Sequence, residues 1–143
     1  MFRCVIFLAS LILAGCATQV PDNDPYVAFA RHYFELLQHK DNAAIEATFD
    51  AELTSDPQFK SEDLKTLLSL IEILVPSDPP LSSKVVEYRP SRLDGMPVTS
   101  VTIEYQFPKA ETRFEIVMRG SGQDIRVRHF DLHSDIELNG DET

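Results

Sequence analysis

His129, Asp131 and His133 occupy alternate positions near the end of the chain. On a strand, alternate residues share one face, and two imidazoles flanking a carboxylate are groups used for metal binding or acid–base catalysis. Strand geometry opposes the metal. Residues i and i+4 stand about 13 Å apart at roughly 3.3 Å per residue, a gap that one zinc ion with ligands near ~2.1 Å does not span. A solvated face near the end of a sheet is the expectation. Tyr33 and Tyr105 both fall on apolar faces, where a phenol is most often core with its hydroxyl at the rim. Arg113, Arg119, Arg126 and Arg128 take the parity opposite the apolar one. They offer either an anion patch or cross-strand pairs with Glu104 and Glu115, the pairs being the commoner arrangement. The sequence has no Gly-rich phosphate loop, no His-Glu-x-x-His and no Gly-x-Ser-x-Gly, so the enzyme classes built on those motifs have no support.

Two cysteines remain to be placed, Cys4 and Cys16. Met1-Phe2-Arg3 supplies one positive charge, Cys4 to Leu13 is almost wholly apolar, and Leu13-Ala14-Gly15-Cys16 follows at once. A charged start, an apolar stretch and small residues before a cut are the parts of a secretory signal peptide. The apolar run is about ten residues, half of the roughly 20 that cross a bilayer as a helix. Residues 1–15 are therefore expected to be removed.

Leu13-Ala14-Gly15-Cys16 resembles the lipobox of bacterial lipoproteins at every position. The resemblance implies cleavage between Gly15 and Cys16, a diacylglycerol on the Cys16 sulfur, and acylation of the new amine. Each buried methylene contributes about 0.8 kcal/mol, so one acyl chain binds marginally and two or three make a stable anchor. Ala17 resembles the sorting position of outer-membrane lipoproteins, where aspartate favours the inner membrane. A cell-envelope location, on the periplasmic face of the outer membrane, is what the resemblance implies.

Removing fifteen residues from 143 leaves 128, one ordinary domain. The fifteen hold one cation, Arg3, and no anion, so the formal charge moves from −10 to −11. Nucleic-acid binding depends on neutralising phosphates with Lys and Arg, and such a surface excludes it. With Cys4 removed and Cys16 acylated, the mature domain has no thiol. Disulfides, cysteine nucleophiles and cysteine-ligated zinc are excluded, and no cofactor is expected. Stability must come from a hydrophobic core, which a body of about 115 residues can build.

These groups need elements to hold them. Residues 16–23 read as the lipidated cysteine and a polar tether, whose seven residues after Cys16 reach about 25 Å. One domain is expected over 24–134, and an acidic tail over 135–143. Asp24-Pro25 starts a helix as N-cap and first-turn proline. Val27, Ala30, Tyr33, Phe34 and Leu37 make its apolar stripe, ending near Lys40. Asp41 caps a second helix, in which Ile45, Phe49 and Leu53 recur every four residues. Ser61 precedes a third, carrying Leu64, Leu67, Leu68, Ile71, Leu74 and Val75 until Pro76 stops it. After the loop Ser77-Asp78-Pro79-Pro80, four strands follow. The first is Lys84 to Arg89, then Asp94-Gly95 signals a hairpin. The second alternates Val101, Ile103, Tyr105 and Phe107 with wet Thr102, Glu104 and Gln106. Phe114, Ile116 and Met118 form the buried face of the third. The fourth runs from Ile125 to about His133, and its apolar parity changes between Val127 and Phe130. That change predicts a bulge near Arg128-His129.

Helices followed by an antiparallel meander predict an α+β fold, with three helices packed on a curved four-stranded sheet. With Tyr33-Phe34, the turn Gln38-His39-Lys40-Asp41 and the Phe49 helix, this order resembles the cone-shaped nuclear transport factor 2-like superfamily over residues 24–134. The resemblance implies a pocket near Tyr33, Tyr105, Phe107 and Phe114. Because enzymes of that superfamily place Asp, Tyr or His in the cone, it also directs attention to His32 and Asp50. The expected function is a membrane-anchored, non-enzymatic binding or accessory domain of the envelope. Its partner would be another envelope protein or an unidentified small apolar ligand. The alternatives are a cone-fold enzyme acting on a small hydrophobic substrate and a purely structural lipoprotein.

Overall fold

Asp24 opens the first helix, α1 (Pro25–His39), by accepting hydrogen bonds from the Tyr26 and Val27 N–H groups at 2.9 and 3.2 Å. Lys40 ends it in the left-handed region, φ 55°. The five stripe residues, Val27 to Leu37, are all buried. Residues 20–50 and 61–136 are described, in a computed structural model. The second helix, α2 (Asn42–Ala47), is capped as expected by Asp41, which accepts from the Ala44 N–H at 3.2 Å. It is shorter than the Ile45–Phe49–Leu53 spacing predicted. The Thr48 hydroxyl turns back onto the Ile45 carbonyl, and the backbone leaves the helix to bond a strand instead. Leu53 lies outside the described residues. The third helix, α3 (Ser61–Leu74), buries Ile71, and Val75 is buried just beyond its end. The linking loop is held by the Gln38 amide, which donates to the Pro76 and Asp78 carbonyls at 3.1 and 3.0 Å.

Four strands follow: β1 (Ser82–Leu93), β2 (Met96–Phe107), β3 (Ala110–Arg119) and β4 (Arg126–Ile136). They form one antiparallel sheet in the order β1-β2-β3-β4. The fold is α+β, three helices and a four-stranded antiparallel sheet among the described residues, compatible with a cone-like form. Asp94 and Gly95 have φ of 50° and 78°, the pair of positive values that a primed hairpin turn requires. β1 extends past the expected Arg89 through Pro90 to the turn. Proline is tolerated there because β1 is an edge strand and its missing N–H costs no ladder bond. β4 also runs on, so Asp135 and Ile136 belong to the sheet and not to a frayed tail; residues 137–143 lie outside the described residues.

In β4, Val117 faces His129 while Met118 faces Val127, leaving Arg128 as the extra residue of a bulge. The bulge aligns Val127, Phe130 and Leu132 with Met118, Ile116 and Phe114 on one face, which is the change of phase seen in the sequence. The expected wet side of β2 is exposed only at Gln106. Thr102, between Glu87 and Glu115 in register, is fully buried.

The segment before α1 is attached to the body. The Pro21 carbonyl accepts from the Asp24 N–H at 2.9 Å, Asp22 meets Arg31 at 3.3 Å, and Val20 packs against the core. Of the expected tether 16–23, residues 20–23 are thus attached to the body, and residues 16–19 lie outside the described residues. No helix among the described residues is long and apolar enough to cross a membrane.

Candidate functional site

Tyr33, Tyr105, Phe107 and Phe114 lie together inside the packed core. Phe34 of α1 stacks on Tyr105 of β2 with ring centroids 3.9 Å apart, and reaches Phe114 at 5.5 Å and Phe107 at 6.4 Å. Tyr33 lies parallel to Phe114 at 6.1 Å and edge-on to Phe130 at 5.6 Å. Aromatic side chains from α1 and the sheet pack against one another around these four residues, and Phe34 and Tyr105 also border a small cleft.

The packing leaves three buried polar atoms without a hydrogen-bond partner among the described residues: Tyr33 Oη, Tyr105 Oη and Arg31 Nε. Burial pushes both phenols up. Tyr33 stands well above the ordinary tyrosine range, with the nearby Thr48 hydroxyl opposing the rise. Tyr105 is pushed up to about 12 by burial, with Arg31 opposing and Glu35 adding to it. Neither Thr48 nor Arg31 closes a well-formed bond to its phenol. Tyr88 is also raised, by burial and then by the Asp24 carboxylate, to which its hydroxyl donates at 3.2 Å.

Two clefts meet at Arg31. A small one, of about 200 Å³, is lined by Arg31, Phe34, Glu35, Gln38, Ser83 and Tyr105, among others. A larger open groove, of about 1190 Å³, runs between Val20–Asp22 and the β1 residues Ser83 to Tyr88. The Arg31 guanidinium separates them by donating Nη1–H to Ser83 Oγ and Nη2–H to Asp22 Oδ1. Arg31 and Ser83 were not singled out in the sequence. Their only signal was position: Arg31 sits one place before the exposed His32, on the edge of the α1 stripe.

Asp50 is buried, and Arg119 Nη1 donates to its Oδ2 at 3.3 Å. The arginine expected to face Glu104 or Glu115 thus turns to the segment after α2. This segment docks on β4 through a parallel bridge between Phe49 and Val127: the Asp50 N–H donates to the Val127 carbonyl and the Val127 N–H to the Thr48 carbonyl, at 2.9 and 2.8 Å. Arg126 faces Arg119 across the strands, and Arg113 faces Glu104 and His133. His129, Asp131 and His133 are exposed on the outer sheet face, and His133 meets Asp135 at 3.3 Å with both side chains in solvent. Among the described residues no cluster of three or more His, Asp or Glu side chains is arranged to hold a metal.

Gly15, Cys16 and Ala17 lie outside the described residues. Comparison with protein-family models, with curated proteins and with solved structures finds no match to this chain.

Proposed function

We propose that this chain is the precursor of a bacterial lipoprotein, cut between Gly15 and Cys16, acylated on Cys16, and displayed in the cell envelope as a non-enzymatic binding or accessory domain. The observation that carries the anchor is the sequence Leu13-Ala14-Gly15-Cys16 directly after an apolar segment. The accessory role is supported by the interior: the four candidate pocket residues pack ring against ring with one another and with Phe34, and the sequence has no Gly-rich phosphate loop, His-Glu-x-x-His or Gly-x-Ser-x-Gly. Ala17 favours the periplasmic face of an outer membrane, and the α+β architecture favours the nuclear transport factor 2-like cone. Intact-mass spectrometry of protein purified from membranes tests the anchor. The expected mass is a chain beginning at Cys16 plus diacylglycerol and one amide-linked acyl chain, lost in Cys16→Ala. An unacylated chain from the wild-type gene overturns the reading.

One observation favours the second reading, a cone-fold enzyme. Tyr105 Oη and Arg31 Nε are both unpaired at the small cleft. Native mass spectrometry of the same protein separates the two: a small molecule that departs on denaturation supports a loaded pocket, and a bare mass supports the accessory domain.

A further inference from the structure

We infer that the outer edge of β1 is the face this domain turns toward the membrane, where it lies against anionic lipid headgroups; this rests on the anchor proposed above. Three independent features converge on that edge. The first is the exit of the chain. Val20 lines the groove beside Ser83 to Tyr88, and Cys16 precedes Val20 by four residues, a reach of about 14 Å when extended. A lipid on Cys16 therefore enters its bilayer within that distance of Val20, beside β1. The second is charge. β1 exposes Lys84, Arg89 and Arg92, and carries Glu87 as its one acid, in a chain whose formal charge is −10. Among the described residues, Arg89 meets the half-exposed Glu87 carboxylate at 3.3 Å and Arg92 donates to the Gly95 carbonyl at 3.1 Å, contacts that a phosphate can replace. The third is apolar exposure. Of the five large hydrophobic side chains exposed among the described residues, Leu81, Val86 and Leu93 belong to this edge.

Strand addition by a protein partner is disfavoured at the same place. Val86 is the extra residue of a bulge between Val85 and Glu87, and Pro90 interrupts the donor row. Bulges, prolines and cations are the devices by which edge strands resist pairing. A lipid surface requires no backbone register, and mixed basic and apolar side chains suit an interface where headgroups meet acyl chains. Asp22 in the groove and Asp94 at the hairpin tip lie beside this edge as exposed acids, and contact through Lys84, Arg89 and Arg92 fixes an orientation as well as a location.

The test uses the acylated protein, reconstituted in vesicles of neutral lipid with about one third phosphatidylglycerol. The domain has no other thiol, so Val86→Cys and Asp131→Cys each give a single fluorophore site, on β1 and on the opposite edge strand. Three strand spacings separate these strands, about 14 Å. A headgroup-level quencher is expected to quench the Val86 site several-fold more than the Asp131 site. The difference should collapse in neutral vesicles and in Lys84→Gln/Arg89→Gln/Arg92→Gln, where each lost cation weakens contact about fivefold. Equal quenching at both sites, or stronger quenching at Asp131, overturns the proposal. So does protection of Val86 that requires envelope proteins and is absent from pure lipid, which would assign the edge to a protein. The mass of the same sample reads the anchor separately. A chain without acyl mass removes the anchor, and loss of the quenching difference in an acylated chain removes the orientation alone.

Discussion

Arg119 of β3 donates to the Asp50 carboxylate at 3.3 Å, joining residues 69 positions apart at the point where the segment after α2 meets β4. Asp50 is nearly buried and the arginine about one third exposed, which places the pair between a surface ion pair and a core one. Arg119→Gln is expected to cost about 1–2 kcal/mol, above an exposed pair and below a dry one. Asp50→Ala should cost a similar amount, and the double variant less than the sum. Urea midpoints across this cycle check it; strictly additive losses would mean that the two side chains do not act together.

Alkaline pH should unfold the protein through its phenols. Tyr33 and Tyr105 are raised in the folded state, Tyr105 to about 12. Their stabilising effect is complete below the unfolded tyrosine value near ~10 and is lost as pH rises through the folded values. Stability is expected to fall steeply between about pH 10 and 12. Tyr33→Phe and Tyr105→Phe, followed by circular dichroism against pH, should each flatten that fall, and an unchanged slope would contradict the burial of the hydroxyls.

At neutral pH the same Tyr105→Phe change should be close to neutral or mildly stabilising. Its hydroxyl is buried without a partner, so removing it relieves a desolvation cost of about 1 kcal/mol and breaks no bond. A loss above about 1 kcal/mol in thermal unfolding would show that Arg31 holds the phenol after all.

Gly120 and Gly95 both have positive φ, 91° and 78°, but their surroundings differ. A Cβ on Gly120 would lie 2.3 Å from the Asp124 carbonyl oxygen, whereas one on Gly95 meets nothing within 4 Å. Gly95→Ala should therefore cost about 1 kcal/mol, from backbone conformation alone. Gly120→Ala should cost clearly more and disturb the Tyr26 hydroxyl bond to the Gly120 carbonyl. Thermal midpoints of the two variants, compared directly, decide it.

The caps and stripes of α1 were legible because they are local: Asp24, Pro25 and the 3–4 spacing from Val27 to Leu37 needed no partner to be read. The bulge at Arg128 was legible for a similar reason, since a slipped register must show as a change of parity. Phe49 was misread because Ile45–Phe49 keeps helical spacing while the open edge of β4 competes for the same backbone. Long-range hydrogen bonding outweighed local periodicity there. Thr102 looked wet because its neighbours in sequence are Val101 and Ile103, and nothing local reveals that Glu87 and Glu115 flank it on adjacent strands. The Arg31 junction was hidden most completely. Its partners, Asp22 and Ser83, come from segments 9 and 52 residues away, and neither spacing belongs to a helix or a strand.

The parallel bridge between Phe49 and Val127 also sets an order of assembly. The three hairpin pairings of the sheet close over short loops and can form quickly, and α1 meets α2 nearby in sequence, but α1 also packs on β2 and β3, which are made later. Contacts of such wide sequence separation slow folding, because the loop they close must be ordered first. As the chain is synthesised from its N-terminus, the apolar stripe of α1 meets α2 and α3 first and is covered by the sheet only once β2 and β3 exist, and residues 48–50 wait longer, for β4. The bridge that closes residues 48–50 onto the sheet thus waits for β4, the last strand among the described residues.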